Sequence, residues 1–184
     1  LTFFCYCSQI SFDDKKLSKE HDTHLSVDCT DCRIQQKGPM FASHKFKGKS
    51  GLQYEIAIGL LSGEIKWING PYLCGKWLEL KIFWHSLQTY LDPGEMVEVD
   101  DEYRGEALWT CKVPINVLTW TEEMYAMQKR VKGKHERINP LFKSFEVLEQ
   151  LSHHNPTQHG YVFWAVAVLV QLSIKNGDPF YNEN

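Results

Sequence analysis

The stretch His24-Leu-Ser-Val-Asp-Cys-Thr-Asp-Cys-Arg-Ile34 decides which fold the sequence predicts. Apolar Leu25 and Val27 alternate with polar residues up to Asp28, and a period of two indicates a strand with one buried face. Asp28 therefore lies on the face opposite the two apolar residues, or at the end of the strand. In either position its carboxylate is available beside the sheet.

The segments that follow indicate an α/β order. Residues 53–61 alternate like a strand, and Ser62-Gly63 turns the chain into a second run at 64–68, which predicts a β-hairpin. Five apolar residues then recur at the spacing of one helical face: Trp77, Leu80, Trp84, Leu87 and Leu91. Asp92-Pro-Gly94 ends this helix, and the strand predicted from Met96 to Asp100 can return parallel beside the first strand.

Further helices are predicted in the last third of the chain. Thr119-Trp-Thr-Glu122 fits a capping box, and the helix that it opens carries Glu136 on its polar face. Phe142 to Leu151 and Gly160 to Ile174 predict two more helices. The longest apolar run, Tyr161 to Leu172, is shorter than the roughly 20 residues of a membrane span, so we expect a buried helix and no membrane partner.

The composition is that of one globular domain. The chain has 184 residues, 43% of them hydrophobic, with a formal net charge of -3, so any nucleic-acid contact must come from local basic patches. We divide it into an N-terminal segment of uncertain structure, residues 1–22, and a domain at residues 23–184. The six cysteines, without a signal-peptide pattern at the start, predict reduced thiols in an intracellular protein.

Three carboxylates are candidates for a metal site: Asp28, Asp100 and Glu136. Mg²⁺ prefers oxygen ligands, and a few carboxylates from separate elements suffice to hold it. Spacing alone is weak evidence among 23 Asp and Glu residues, and Asp31 and Asp101 compete for the first two roles. In an extended strand, however, Asp31 points to the face opposite Asp28.

Other polar residues have structural interpretations. Cys29 and Cys32 have the spacing of a zinc or redox pair, but an offset of three on a strand points the two thiols to opposite faces. We therefore expect small buried thiols. Glu55 and Glu98 are interpreted as residues of polar strand faces.

Four motifs occur in order along the chain: Val27-Asp-Cys-Thr-Asp31, Tyr54-Glu-Ile-Ala-Ile58 followed by Ile68-Asn-Gly-Pro71, Asp100-Asp-Glu-Tyr-Arg-Gly105, and His135-Glu-Arg-Ile-Asn139 with Lys143. Together they resemble the DDE superfamily endonuclease domain of PIF/Harbinger-type transposases and of the host proteins derived from them. The resemblance covers about residues 24 to 178. It implies a ribonuclease-H-like fold, in which helices flank a mixed five-stranded sheet, and a nuclear location.

The resemblance also implies an activity. Asp28, Asp100 and Glu136 would be the catalytic ligands of two Mg²⁺ or Mn²⁺ ions, and the reaction would be hydrolysis and strand transfer at DNA phosphodiesters. The basic residues around the glutamate are the expected DNA contacts: Lys129, Lys132, Lys134 and Arg137. DNA is the expected partner, and a separate DNA-binding protein is a further candidate.

Three residues depart from the family pattern. Cys29 and Glu102 stand where the family has glycine, and Pro140 follows the glutamate closely. A proline inside a helix disrupts the preceding turn, although Pro140 would also fit as the first residue of a new helix capped by Asn139. These departures favour an alternative, a domesticated or degenerate protein that binds DNA or protein without cleavage. An ordinary cellular nuclease of the same fold is a third interpretation.

Overall fold

A computed structural model describes Ile10 and residues 23–59, 62–93, 95–99, 103, 111–112 and 136–177. Among them, four strands of three residues or more form one sheet: β1 (Thr23–Arg33), β2 (Gly51–Gly59), β3 (Ile65–Leu73) and β4 (Met96–Glu98). The two-residue segment Cys111–Lys112, β5, extends it at the β4 edge, giving the order β3-β2-β1-β4-β5.

The sheet is mixed. β2 runs antiparallel to both β1 and β3, whereas β4 runs parallel to β1, and β5 runs parallel to β4. Strand β1 is the central strand of the sheet. β2 pairs with it from Leu25 to Arg33, whereas β4 pairs with it only between Thr23 and Ser26. The second half of β1 therefore has a described strand on one side only.

The described helices lie on both sides of this sheet. Helix α1 (Glu79–His85) continues into a 3-10 turn at Leu87–Tyr90. Residues 136–143 are helical and are called α2. Helix α3 (Glu146–Glu149) and helix α4 (Pro156–Lys175) follow. Asn155 and Gln158 form a capping box that begins α4, with the Asn155 side chain accepting from the backbone N–H of Gln158 at 2.9 Å.

Each face of the sheet has its own apolar cluster. On one face, Leu25 and Val27 of β1 join Phe83 of α1. On the other, Cys32 and Ile34 join residues of β2, β3, α2 and α4, with the rings of Tyr54 and Phe163 stacked 3.7 Å apart. The α/β class with a mixed sheet flanked by helices is thereby confirmed.

Two details of β1 refine the sequence interpretation. Asp28 is on the face opposite Leu25 and Val27, as the alternation predicts, since those two residues belong to the cluster on the α1 side while Asp28 contacts α2. The expectation that it ends its strand is wrong. β1 continues to Arg33, because β2 supplies a hydrogen-bonding partner along that whole length.

The helices also differ from the prediction. The buried side chains of α1 include Ile82 and Phe83, whereas Trp84, placed in the predicted stripe, is 39% exposed. The helix predicted from 142 to 151 is divided into α2 and α3, and helical backbone runs through Pro140 without a break there. No helix in the described part of the chain is long and apolar enough to cross a membrane.

Candidate functional site

The candidate site begins at Asp28, in the middle of β1. Its backbone is paired with Ile56 of β2, and its side chain is half-buried. On the other side of β1, the last residue paired with β4 is Ser26, which faces Glu98. Asp28 therefore lies two positions beyond the point where the described part of β4 leaves β1.

Each oxygen of the Asp28 carboxylate accepts a hydrogen bond from an N–H group. Oδ1 accepts from the backbone N–H of Cys29 at 2.7 Å, and Oδ2 accepts from the side-chain amide of Asn139 at 3.1 Å. Each carboxylate oxygen has a second lone pair, so these contacts fix the direction of the group without using all of its acceptor capacity. Helix α2 thus reaches the first proposed ligand through Asn139.

The third proposed ligand, Glu136, is on the same helix and is exposed. It precedes Asn139 by three positions, and residues at that spacing are neighbours on one helical face. Arg137 is likewise exposed. Asp100, the second proposed ligand, lies outside the described residues, as do the predicted DNA contacts Lys129, Lys132 and Lys134 and the competing Asp101.

A cleft of about 270 Å³ runs along the second half of β1, and its lining includes Asn139, the hydrogen-bond partner of Asp28. It is lined by strand residues and by basic and polar side chains: Cys29, Thr30, Asp31, Arg33, Lys45, Phe46, Asn139, Lys143 and Glu149. Lys45 Nζ donates to the carbonyl of Cys29 at 3.0 Å, and Lys143 Nζ donates to the carbonyl of Asp31. Two ammonium groups therefore bond to backbone carbonyls one and three positions after Asp28.

Lys45 is held in place by a buried acid. Its Nζ is 2.9 Å from Oε1 of Glu79, at the start of α1, and the Glu79 side chain is almost fully buried. Burial acts to lower the pKa of Lys45, but the Glu79 charge and hydrogen bond outweigh it and hold that pKa above its usual range. Lys45 consequently carries a positive charge into the cleft at any physiological pH.

Asp31 has a structural role on the other face of β1. It is 7% exposed, and Oδ2 accepts from the hydroxyl of Ser43 at 2.5 Å. This agrees with the prediction that Asp31 and Asp28 point to opposite faces. The contact ties the loop after β1 to the strand.

The two thiols are also separated by the strand. Cys29 Sγ is 3.7 Å from the hydroxyl of Tyr103, on the α1 side, whereas Cys32 belongs to the cluster on the other face. Burial raises the pKa of both thiols, that of Cys32 to about 11. Both are free, as expected for buried thiols, and no group of three His, Cys, Asp or Glu residues positioned to hold a metal ion occurs among the described residues.

The interpretation of Glu55 as a polar-face residue is wrong, because the side chain is fully buried. Its Oε2 accepts from Trp67 Nε1 at 2.9 Å and from the hydroxyl of Ser86 at 2.6 Å. Burial raises the pKa of Glu55 to about 7, against the opposing effect of these hydrogen bonds. A signal was present in the sequence: every neighbour from Tyr54 to Ile58 is apolar, which is typical of a strand buried on both faces.

A second buried polar pair joins β2 to α4. The hydroxyl of Tyr54 and Nδ1 of His159 are 2.7 Å apart, and both side chains are almost fully buried. Burial lowers the pKa of His159 to about 4, and the charges of His154 and Lys143 add to the effect. The imidazole is therefore neutral at physiological pH. Nothing in the local sequence pattern indicates this pair.

No protein-family model, curated protein or solved structure matches this chain. The resemblance to DDE endonuclease domains thus depends on the motifs quoted above, and the function is inferred from those motifs and from the geometry around Asp28.

Proposed function

We propose that this chain is a divalent-metal-dependent DNA nuclease of the DDE transposase type, built on a ribonuclease-H-like fold. The observation that carries the proposal is the contact of α2 with β1, in which Asn139 holds the Asp28 carboxylate one helical turn from Glu136. This contact supports a site that includes Glu136, because it docks the helix that carries Glu136 against Asp28.

Strand register supports the inclusion of Asp100. Ser26 and Glu98 are partners in the parallel ladder, and Asp28 and Asp100 each follow two positions later in the sequence. Residues of parallel neighbouring strands advance together along a sheet, so we propose that the Asp100 carboxylate lies at the same end of the β1–β4 pair as Asp28. Ligands of open α/β sheets bind outside the carboxyl ends of strands.

The donor set fits hard divalent cations. Asp28 retains acceptor capacity on both oxygens, Glu136 is exposed, and Mg²⁺ and Mn²⁺ favour carboxylate oxygens. Asp28, Asp100 and Glu136 would hold two such ions. When bound, the ions would supply activation of a water or 3′-hydroxyl and stabilisation of the leaving oxygen. Asn139 would orient Asp28, and the positive charge of Lys45 and Lys143 beside it would attract a phosphodiester.

One observation favours the alternative of a domesticated or degenerate domain that binds without cleaving. Asp28 already accepts two hydrogen bonds, from the backbone N–H of Cys29 and from the side chain of Asn139. A carboxylate held in this way is stable without a cation. The two functions differ in whether a metal ion binds and whether DNA is cut.

Nicking of supercoiled plasmid DNA with Mg²⁺ or Mn²⁺ tests the proposal. Asp28→Asn, Asp100→Asn and Glu136→Gln should each lower the nicking rate by more than the roughly 10- to 100-fold caused by loss of an outer-shell group. Glu146→Gln is the matched control, since it removes an exposed carboxylate from the neighbouring helix α3 and should nick like the parent. Equal nicking by all five proteins would refute the assignment.

Metal binding is tested separately by thermal unfolding during a Mn²⁺ titration. A ligand that binds only the folded state stabilises it by RT ln(1 + [L]/Kd), so the parent and Glu146→Gln should gain stability while Asp28→Asn gains much less. A parent that neither gains stability nor nicks DNA would instead support the non-cleaving alternative.

A further inference from the structure

The loop after β1 contains a tight turn, residues 43–49, with three lysines and no acid; we call it the basic turn. Through Lys45 and Phe46 it lines the cleft that Asn139 also lines. Lys47 and Lys49 are exposed at its tip and base. None of the four cations proposed as DNA contacts from the sequence lies in this turn.

Two buried acids hold the basic turn in place through hydrogen bonds. Ser43 is hydrogen-bonded to buried Asp31, and Lys45 is bonded to buried Glu79. Within the turn, the N–H of Gly48 donates to the carbonyl of Ser43 at 2.8 Å. A loop that is already ordered loses little conformational entropy on binding, so its exposed charges are well suited to an extended polyanion.

The backbone at Lys47 is strained. Its φ is 53°, in the left-handed region, where a side chain costs roughly 1 to 2 kcal/mol relative to glycine. Glycine occupies the next position, also with positive φ, so two consecutive residues of the turn have left-handed backbone. Strain of this kind is concentrated at functional sites, where the surrounding structure maintains it.

The cleft lining contains the acids Asp31 and Glu149 as well as cations, whereas every charged residue of the basic turn is a lysine. Lys45 bonds to the carbonyl of Cys29, the residue directly after Asp28, so a cation of the basic turn lies one peptide unit from the proposed metal ligand. Arg33 adds a further cation to the lining. Lys47 and Lys49 extend the positive charge from this point to the protein surface.

We infer that the basic turn binds backbone phosphates of the DNA that lies across the cleft, with Lys47 and Lys49 as direct contacts and Lys45 as the inner cation. This inference rests on the proposed function for the identity of the polyanion. The basic turn, in the loop between β1 and β2, would be a second DNA-binding element in addition to the cations around Glu136.

The test is binding of a fluorescein-labelled 20-base-pair DNA duplex in EDTA, followed by fluorescence anisotropy at several salt concentrations. Each phosphate contact contributes about 0.9 to the slope of log K against log salt, so Lys47→Gln/Lys49→Gln should reduce the slope by about two and the affinity by roughly tenfold. The matched control is Lys37→Gln/Lys81→Gln, which removes two exposed charges that do not line the cleft. It should retain the parent slope.

Binding is measured without metal, so this result is independent of cleavage. A smaller slope in Lys47→Gln/Lys49→Gln alone supports the inference, whether or not the parent nicks DNA. Equal slopes in the two double variants, or no binding by the parent, would overturn it.

Discussion

The side-chain amide of Asn139 donates to Oδ2 of Asp28 over 3.1 Å, joining two residues 111 positions apart in the chain. The contact connects β1 to α2, and it is also the link between Asp28 and the helix that carries Glu136. Its removal should therefore affect stability modestly and the proposed reaction strongly.

Asn139→Ala removes one donor from a carboxylate that retains the N–H of Cys29. We expect the free energy of unfolding to fall by about 1 to 2 kcal/mol and Mg²⁺-dependent nicking to fall roughly 10- to 100-fold, because the carboxylate loses its orientation. Urea unfolding and plasmid nicking measure the two effects. Asn176→Ala, at the exposed end of α4, should leave both unchanged. An Asn139→Ala protein with full nicking activity would show that orientation of Asp28 is irrelevant.

Glu55 should make stability depend on pH. Its pKa is raised to about 7 in the folded protein, so between its usual value and pH 7 the folded state holds a proton that the unfolded state has lost. Its contribution to stability is present below that window and is lost as pH rises, with a limiting slope of about 1.4 kcal/mol per pH unit.

Glu55→Gln should remove this slope and reveal the opposite effect of His159. The pKa of that imidazole is lowered to about 4, so its contribution is present above about pH 6.5 and is lost as pH falls. Urea unfolding between pH 4.5 and 6.5 should therefore show stability rising with pH in Glu55→Gln more steeply than in the parent. Glu146→Gln serves as the control for an exposed carboxylate. Identical pH profiles for Glu55→Gln and the parent would contradict the raised pKa.

Gly75→Ala should be strongly destabilising. A Cβ at this position would lie 2.1 Å from the backbone oxygen of Pro39 and 2.9 Å from the carbonyl carbon of Met40, so two backbone segments would have to separate. We expect a loss of at least about 2 kcal/mol. Gly48→Ala is the comparison, because its Cβ meets open space and only the positive φ opposes it, at about 1 kcal/mol. Thermal unfolding should rank the two variants in that order.

Asn155→Ala should shorten or destabilise the start of α4. The substitution removes the side-chain acceptor of the capping box, which typically costs about 1 kcal/mol. Asn155→Ser keeps a hydroxyl acceptor at the same position and should retain most of the stability. If urea unfolding shows that the alanine and serine variants are equally stable, the cap makes no contribution.

The sequence predicted what depends on local periodicity. The period of two in β1 assigned Asp28 and Asp31 to opposite faces, and Cys29 and Cys32 likewise, as the structure has them. The hairpin of β2 and β3 and the long helix α4 were predicted for the same reason. In each case neighbouring residues contain the signal.

Contacts between distant residues could not be predicted in this way. Oε2 of Glu55 accepts from Trp67 and Ser86, 12 and 31 positions away, and the period of the strand gives no sign of these contacts. The buried face of α1 was misassigned because the predicted stripe ran from Trp77 to Leu91, whereas the α-helix is only Glu79–His85, so three of the five stripe residues lie outside it. The contact of Asn139 with Asp28 depends on how α2 packs against β1, and the sequence pattern of β1 gives no information on that packing.

Asp28 and Asp31 are separated by an odd number of positions on β1, and their two contacts depend on that odd separation. An odd separation sends one carboxylate toward α2 and the other toward Ser43. Insertion or deletion of a single residue between them would exchange these sides for everything downstream. Ser43 would then lose its acceptor, and an unneutralised acid would enter the apolar layer beneath α2. A change of one residue in the length of this segment would therefore need a β-bulge to restore the two sides.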